Sequence, residues 1–412
     1  MIERIGYILF VLLIILISSD LNGFFSLFFG TTSFLSPLIL AITFILLLYS
    51  LRIKIEMPSL TIYLFGLYAF WLFIGSLIVF SKSKIIPFDS IRYYLPSVLL
   101  FYVFSKLFMY YYMINKLGKI INVISLSLTF NCIAIIWVGH FGNFYENPYA
   151  VDRSSGFIAS VNQAGVTASI TQVFILFQYL TPLKKRSNYL LVFYFIALYA
   201  SFLTFSKAAF GNAIIIAITF FITINFISYK EVIREFLWKR NKKTIRTLIL
   251  LLLPVVFIFG SKFFIGLTKS QLERVREFGT LIGGTINEET TTGRSEITIY
   301  AINQIKIDNY LGRGIGTFHR IEGIGYGAHN QFLLLLGEVG LLGMIIYLWY
   351  FLIVYYKIFI IRNLPLQFLA FGLINIMLLT SMVSHTVLYV KLYILIFSLM
   401  NCLLFFNKKR IN

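Results

Sequence analysis

Apolar runs of about 20 residues recur along the whole chain, and each is long enough to cross a bilayer as a helix. A backbone inside lipid must satisfy its own hydrogen bonds, so runs of this kind fold as helices. Charged residues make up 12% of the 412 residues, about half of the ~25% that is usual in soluble chains. The sequence therefore predicts an all-α polytopic membrane protein.

About twelve transmembrane helices are predicted, with one long extramembrane segment between the ninth and the tenth. The predicted spans are 4–19, 34–51, 60–80, 92–110, 119–139, 157–180, 188–205, 209–228, 248–266, 330–356, 365–384 and 387–406. The chain is thus divided into spans one to nine (1–266), a large outer loop with short amphipathic helices (267–328) and spans ten to twelve (329–412).

The net charge of +19 is compatible with nucleic-acid binding or with the excess of basic residues on the cytoplasmic side of membrane proteins. The placement of the charges favours the second interpretation. If the N-terminus is cytoplasmic, the runs Lys184-Lys185-Arg186 and Lys408-Lys409-Arg410 both lie inside, and the short outer loops hold few basic residues. Both termini are therefore predicted to be cytoplasmic, the long loop is predicted to be outside, and no nucleic-acid partner is expected.

Neither a disulfide framework nor a metal site is predicted. Cys132 and Cys402 both lie within apolar runs, which is not the pattern of a disulfide scaffold. The histidines and carboxylates lack the spacing of metal ligands. No metal and no cofactor are expected.

The stretch GYGAHNQFLLLLGEVGLLG, from Gly325 to Gly343, places a histidine and an asparagine where the outer loop meets the tenth span. Backbone N–H groups and the helix dipole favour anions at such a helix N-terminus, and the glycines before it let the backbone approach a bulky ligand. A histidine is the side chain best suited to accept a proton near neutral pH. Standing alone, however, His329 would more often be an interfacial residue that hydrogen-bonds a turn.

The region from Arg294 to Gly343 resembles the O-antigen ligase and polymerase superfamily of bacterial membrane glycosyltransferases. The resemblance rests on Arg294, the turn YLGRGIGTF and the stretch AHNQFLLLLGEVGLLG, in which ten residues separate His329 from Gly340. Two further outer stretches look similar, DRSSGFIASVNQAG and TFSKAAFG. In the second, Lys207 stands where the family usually has an arginine, so the charge is kept but the bidentate fork is lost.

The resemblance implies a GT-C-like enzyme that takes a glycan from an undecaprenyl-diphosphate donor and passes it to an acceptor hydroxyl at the outer face of the bacterial cytoplasmic (inner) membrane. His329 is the expected catalytic base. The residues expected to bind the diphosphate or glycan are Arg294, Lys207, Arg153, Arg313 and Asn330, and those expected to support the site are Glu338 and Gly340. The implied partners are the undecaprenyl-diphosphate-linked oligosaccharide, a glycan or lipid A-core acceptor, membrane lipids and a chain-length regulator.

Several alternatives stay open at this point. A repeat-unit polymerase for O-antigen or capsule is favoured over an O-antigen ligase, because the chain departs from the arginine pattern; a protein glycosyltransferase is a third enzyme of similar build. A transporter or flippase of lipid-linked glycans would usually place its polar groups near the bilayer midplane. Among the individual residues, Glu338 lies nine residues after His329, about 180° around a helix. This favours a role in a hydrogen-bond network or in helix packing over direct acid catalysis. The other histidines, His140, His319 and His385, are interpreted as structural.

Overall fold

The computed structural model describes residues 2–30, 35–142, 153–181, 189–225, 294–319, 321, 327–361 and 363–409, together with positions 268, 271–273 and 276. Within these ranges the regular secondary structure is entirely α-helical. The helices are α1 (Ile2–Ser18), α2 (Leu21–Phe28), α3 (Ser36–Leu51), α4 (Ser59–Ser83), α5 (Phe88–Met113), α6 (Leu117–Phe141), α7 (Val161–Leu180), α8 (Tyr189–Leu203), α9 (Lys207–Asn225), α10 (Arg294–Ile307), α11 (Gln331–Ile360), α12 (Leu364–Val383) and α13 (Lys391–Lys409).

Eleven of the twelve predicted spans coincide with helices, and the ninth, 248–266, lies outside the described residues. Five helices, α4, α5, α6, α11 and α12, are long and apolar enough to cross a membrane. The chain is thus a polytopic helical membrane protein, and the count of twelve spans stays a prediction. Most of the predicted outer loop also lies outside the described residues.

One of the amphipathic helices predicted in the outer loop is described, and one of its faces is buried. The stretch RSEITIYAINQIKI forms α10, with Ala301 and Ile305 buried and Ile297 packed against the core. The stretch KSQLERVREF, which the sequence also predicts to be an amphipathic helix, lies largely outside the described residues.

The core of the bundle is built around α7, which packs against α6, α8, α9 and α12. Its residues 164–176 are all buried. Small residues such as Gly165, Ala168 and Ser169 let neighbouring helices approach closely. Gly372 of α12 packs so closely on Val173 that an added Cβ would lie 2.9 Å from a Val173 methyl carbon. A second group joins α5 to α3, α4 and α13, and α11 packs against α4 and α12.

Direct contacts bring several chain segments together at one end of this bundle. Lys82, near the end of α4, bonds the carboxylate of Asp308, which follows α10. The amide of Asn330, just before α11, bonds the carbonyl of Met382 at the end of α12. At the opposite end, the Lys357 ammonium bonds Ser59. The candidate site therefore lies at the end of the bundle that the charge pattern predicts to be outside.

The orientation can be tested with cysteines at the two ends of α4. Ser83 and Glu56 are both exposed, and the two native cysteines are buried, so background labelling by a polar thiol reagent should be low. In intact cells, a membrane-impermeant reagent should label Ser83→Cys but not Glu56→Cys, since basic residues favour the cytoplasmic side. Cysteines at Thr285 and Lys242 should follow the same rule, labelled and unlabelled respectively. The reverse pattern would place the candidate site in the cytoplasm.

Candidate active site

The tenth predicted span is not one continuous helix, because α11 is interrupted at Gly340, where φ is 79° and ψ is −172°. In an unbroken helix the Gly337 carbonyl would accept the N–H of Leu341. Here the Gly337 carbonyl accepts the N–H of Arg313 at 2.7 Å, and the Leu341 N–H donates to the Tyr310 carbonyl at 3.0 Å. The interruption thus frees backbone groups of α11 to bind the segment that follows α10, residues 308–319, which we call the docked loop.

Glycines make this docking possible. A Cβ at Gly340 would lie 2.7 Å from the Tyr310 carbonyl oxygen and 2.8 Å from that of Leu311. A Cβ at Gly312, where φ is 90°, would lie 2.7 Å from the Gly340 nitrogen. The two glycines therefore fit against each other, and the turn YLGRGIGTF and Gly340 form one structural unit. This gives a physical reason for a glycine at the end of the His–Gly motif.

The carboxylate of Glu338 fastens the docked loop to α4. Its side chain is fully buried and accepts hydrogen bonds from the Trp71 indole at 2.7 Å and from the Phe318 N–H at 3.3 Å. The backbone of Gly316 and of His319 also bonds it. A buried carboxylate needs such donors to offset its lost hydration. The contacts described for Glu338 are thus with the loop and α4, and any role in the reaction stays a prediction.

Three of the chain's four histidines meet beside the start of α11. The ring of His329 lies edge-on to that of His385, with centroids 5.5 Å apart, and His385 lies 5.3 Å from His319 in a similar arrangement. His319 Nδ1 is 3.2 Å from the Tyr389 hydroxyl, and the ring of Tyr93 lies 4.9 Å from that of His319. We call His319, His329 and His385 the histidine cluster.

The environment of His319 and His385 favours uncharged imidazoles. Burial, with smaller contributions from His319 and His329, lowers the pKa of His385 to about 3, and burial also lowers the pKa of His319. Both rings are therefore neutral at pH 7, because a buried site disfavours the charged form. A neutral imidazole has one nitrogen that donates and one that accepts. Among the described residues, no group of three or more potential ligands is arranged to hold a metal ion.

The backbone fixes the position of His329. Its φ is 48°, in the left-handed region, and the next residue, Asn330, is the N-cap of α11. The Asn330 oxygen accepts the N–H groups of Phe332 and Leu333 at 2.9 and 3.1 Å, while its amide bonds the Met382 carbonyl at 3.1 Å. Asn330 thus joins the start of α11 to the end of α12, and its expected contact with substrate stays a prediction.

Two cations flank one carboxylate on the docked loop. The Arg313 Nε lies 3.1 Å from Asp308 Oδ2, and the Lys82 ammonium lies 3.4 Å from Asp308 Oδ1. Arg313 was predicted to bind substrate. Lys82 was not predicted as a site residue. Both side chains are partly exposed, so positive charge is available at this surface.

The stretches DRSSGFIASVNQAG and TFSKAAFG pack against each other. Arg153 Nε donates to the Thr204 carbonyl at 2.9 Å, and its Nη2 donates to Asn162 Oδ1 at 3.0 Å. The hydroxyl of Ser206 also bonds Asn162. Lys207 is half-buried and begins α9. The structure therefore brings Arg153 beside the segment that holds Lys207.

The remaining predicted residue is Arg294. It is the first residue of α10, and its side chain lies outside the described part of the chain. Its expected phosphate contact stays a prediction.

Sequence reasoning missed the role of His319 and His385 as neighbours of His329. The predicted spans place all three on the outer side, His319 and His329 in or next to the outer loop and His385 between spans eleven and twelve. That shared placement is the signal that was available. The residue numbers gave no reason to pair them, because contacts between separate loops cannot be read from local spacing.

The fold and the site define a class: a multi-pass helical membrane protein with a histidine cluster and cations gathered at one end of the bundle. Residues 192–348 match the family model described as O-antigen ligase. This match, over about two-fifths of the chain, confirms the resemblance to the O-antigen ligase and polymerase superfamily found in the sequence. The matched range includes every predicted site residue except Arg153. No curated protein matches the chain.

Proposed function

We propose that this protein transfers a glycan from an undecaprenyl-diphosphate donor to a sugar hydroxyl at the outer face of the bacterial cytoplasmic membrane, as a repeat-unit polymerase. The observation that carries the proposal is the placement of His329. It lies immediately before the N-terminus of α11, in a left-handed conformation, with its ring against the neutral His385. This arrangement offers a base beside a helix end that favours anions.

In the proposed step, the acceptor hydroxyl oxygen forms a bond to the anomeric carbon of the donor glycan. His329 takes the hydroxyl proton, and the bond between the anomeric carbon and the diphosphate oxygen breaks. The lipid diphosphate leaves with the electron pair of that bond. No oxidant or reductant is required.

The leaving diphosphate needs fixed positive charge and hydrogen-bond donors. Arg313 and Lys82 supply charge on the docked loop and at the end of α4. Lys207, with Arg153 packed beside its segment, supplies a second group, and Arg294 is the expected third. In this proposal, Arg313 exchanges part of its contact with Asp308 for the phosphate oxygens.

A ligase is the second candidate, because the matching family model is described as O-antigen ligase. The two activities differ in the acceptor. With lipid-linked repeat units as the only substrate, a polymerase produces a ladder of longer lipid-linked glycans on a gel. A ligase leaves the repeat units unchanged until lipid A-core is added, and then joins the glycan to it. A chain-length regulator is a proposed partner of the polymerase and would narrow the range of glycan lengths in the ladder.

Lys207 provides a test of the diphosphate contact. Lys207→Ala should weaken use of the donor by roughly 1–3 kcal/mol if the contact is charge-assisted. Lys207→Arg should keep or improve turnover, because a guanidinium grips phosphate with two parallel bonds. The measurement is the rate of transfer as a function of donor concentration.

Lys84 offers a matched control for Lys207. It is an exposed lysine at the end of α4, so Lys84→Ala should leave donor use unchanged. If Lys207→Arg lost as much activity as Lys207→Ala, the position would not be a phosphate contact.

A further inference from the structure

We propose that His385, in the loop between α12 and α13, is a positioning residue for His329. In the substrate complex it accepts a hydrogen bond from one nitrogen of the His329 ring and thereby keeps the other nitrogen directed at the acceptor hydroxyl. The inference rests on the proposed function, because it gives His329 the role of base. The residue concerned, His385, lies outside the range matched by the family model, 192–348.

The first observation is an unsatisfied polar atom. His385 is 9% exposed, and its Nδ1 is buried without a hydrogen-bond partner among the described residues. Burying such an atom unpaired is unfavourable, so its presence requires a reason. An acceptor that is completed only when His329 is engaged with substrate supplies that reason, since catalytic hydrogen bonds often tighten only in the substrate complex.

The second observation is how firmly the His385 ring is held. A Cβ at Gly327 would lie 2.7 Å from both Cε1 and Nε2 of His385, so the bare backbone of Gly327 packs directly on the ring. The ring of His319 also lies against it, with centroids 5.3 Å apart, and His319 is itself bonded to the Tyr389 hydroxyl. A ring fixed in this way can orient a neighbour, because its own rotation is restricted.

The third observation is charge. The titratable groups whose rings face His385 are His319, His329 and Tyr389. With a pKa lowered to about 3 by burial and by the two other histidines, His385 is neutral throughout the physiological range. Only His329 then gains a proton during transfer, and His385 keeps an accepting nitrogen. The role resembles that of the group which orients a catalytic histidine in hydrolases, with a neutral acceptor in place of a carboxylate.

The test compares His385→Leu with His385→Gln. His385→Leu should lower kcat about 10- to 100-fold, less than loss of the base itself, which is worth ~10²–10⁴-fold. The donor KM should stay within about twofold, because the diphosphate contacts lie elsewhere. His385→Gln should recover part of kcat, since its amide oxygen can accept the same hydrogen bond.

The pH profile separates positioning from simple packing. Without its acceptor, the His329 imidazolium is less stable, so its pKa should fall and the acid limb of the rate profile in His385→Leu should move to lower pH. His140→Leu is the control, because His140 does not belong to the histidine cluster. It is exposed and bonds the Tyr199 hydroxyl at 2.7 Å. It should change neither kcat nor the pH profile.

A double variant tests whether His385 acts through His329. Residues that work as a unit are non-additive, so His329→Ala with His385→Leu should be no slower than His329→Ala alone. An inactive His329→Ala together with wild-type kcat and pH profile in His385→Leu would overturn this inference and leave the proposed function standing. Wild-type transfer by His329→Ala would instead remove the proposed base. Loss of donor binding by both His385 variants would show a structural role only and would also overturn the inference.

Discussion

Replacing His329 with alanine is expected to leave a membrane-inserted protein that still binds the lipid diphosphate donor but transfers its glycan at least about 10²-fold more slowly. The imidazole is the group proposed to accept the hydroxyl proton. Its removal should spare the fold, because α11 is capped by the neighbouring Asn330. The measurement is a membrane or purified assay with lipid-linked repeat units, read as longer glycans on a gel.

A second variant guards against an effect of the backbone. His329 has φ 48°, and asparagine tolerates this left-handed region better than most residues. His329→Asn should therefore keep the local geometry and still be inactive, while His140→Ala should be fully active. Lysine or arginine at position 329 should not restore transfer, since each is a cation at neutral pH and cannot take the proton.

The proposed base also gives a pH dependence with a defined sign. Neutral His329 is the active form, so transfer should fall as pH drops through the titration of its imidazole. His385 should not contribute a step at neutral pH, because its pKa is about 3. Wild-type rates and chain lengths in His329→Ala, or a profile without an acid limb, would leave His329 as an interfacial turn residue.

The helices could be predicted from the sequence because bilayer thickness and backbone hydrogen bonding leave an apolar run of 20 residues few options. That is why α4, α5 and α12 begin and end within a few residues of the predicted spans. The short α2 was not predicted, and it lies between the first two predicted spans, 4–19 and 34–51.

The candidate site was only partly predictable, for a different physical reason. The motif drew attention to His329, Glu338 and Gly340 because it is local in sequence. The interruption of α11 could not be predicted from the sequence, because an apolar run with glycines is equally compatible with an intact helix that packs closely on its neighbours. His385 lies 56 residues after His329, and the two loops come together only in the folded chain, through contacts such as the hydrogen bond from the Asn330 amide to the Met382 carbonyl.

Gly340→Ala is expected to lower the free energy of unfolding of the protein. The backbone at Gly340, with φ 79° and ψ −172°, is in a region that is essentially restricted to glycine, and forcing another residue there costs of order 1–3 kcal/mol. The added Cβ would also lie 2.7–2.8 Å from the carbonyl oxygens of Tyr310 and Leu311. These are backbone atoms that cannot rotate away, so the docked loop must move.

Gly66→Ala is the matched control for this substitution. Gly66 lies inside α4, and a Cβ there would meet nothing within 4 Å. Alanine should be neutral or stabilising at that position by up to about 1 kcal/mol, because it has the higher helix propensity. Thermal unfolding of both variants in the same detergent separates the effect of the interrupted helix from the general effect of removing a glycine.

The interruption at Gly340 should also matter for transfer, because the docked loop holds Arg313 and His319 relative to α11. If alanine restores continuous helical bonding from Gly337 to Leu341, the Arg313 N–H loses its 2.7 Å partner and the buried Glu338 loses donors from the loop. Gly340→Ala is therefore expected to lower both the melting temperature and the transfer rate, whereas Gly66→Ala changes neither downward. An alanine variant at 340 with unchanged melting temperature and rate would mean that the glycine is not needed for docking, and the His–Gly spacing would then require another explanation.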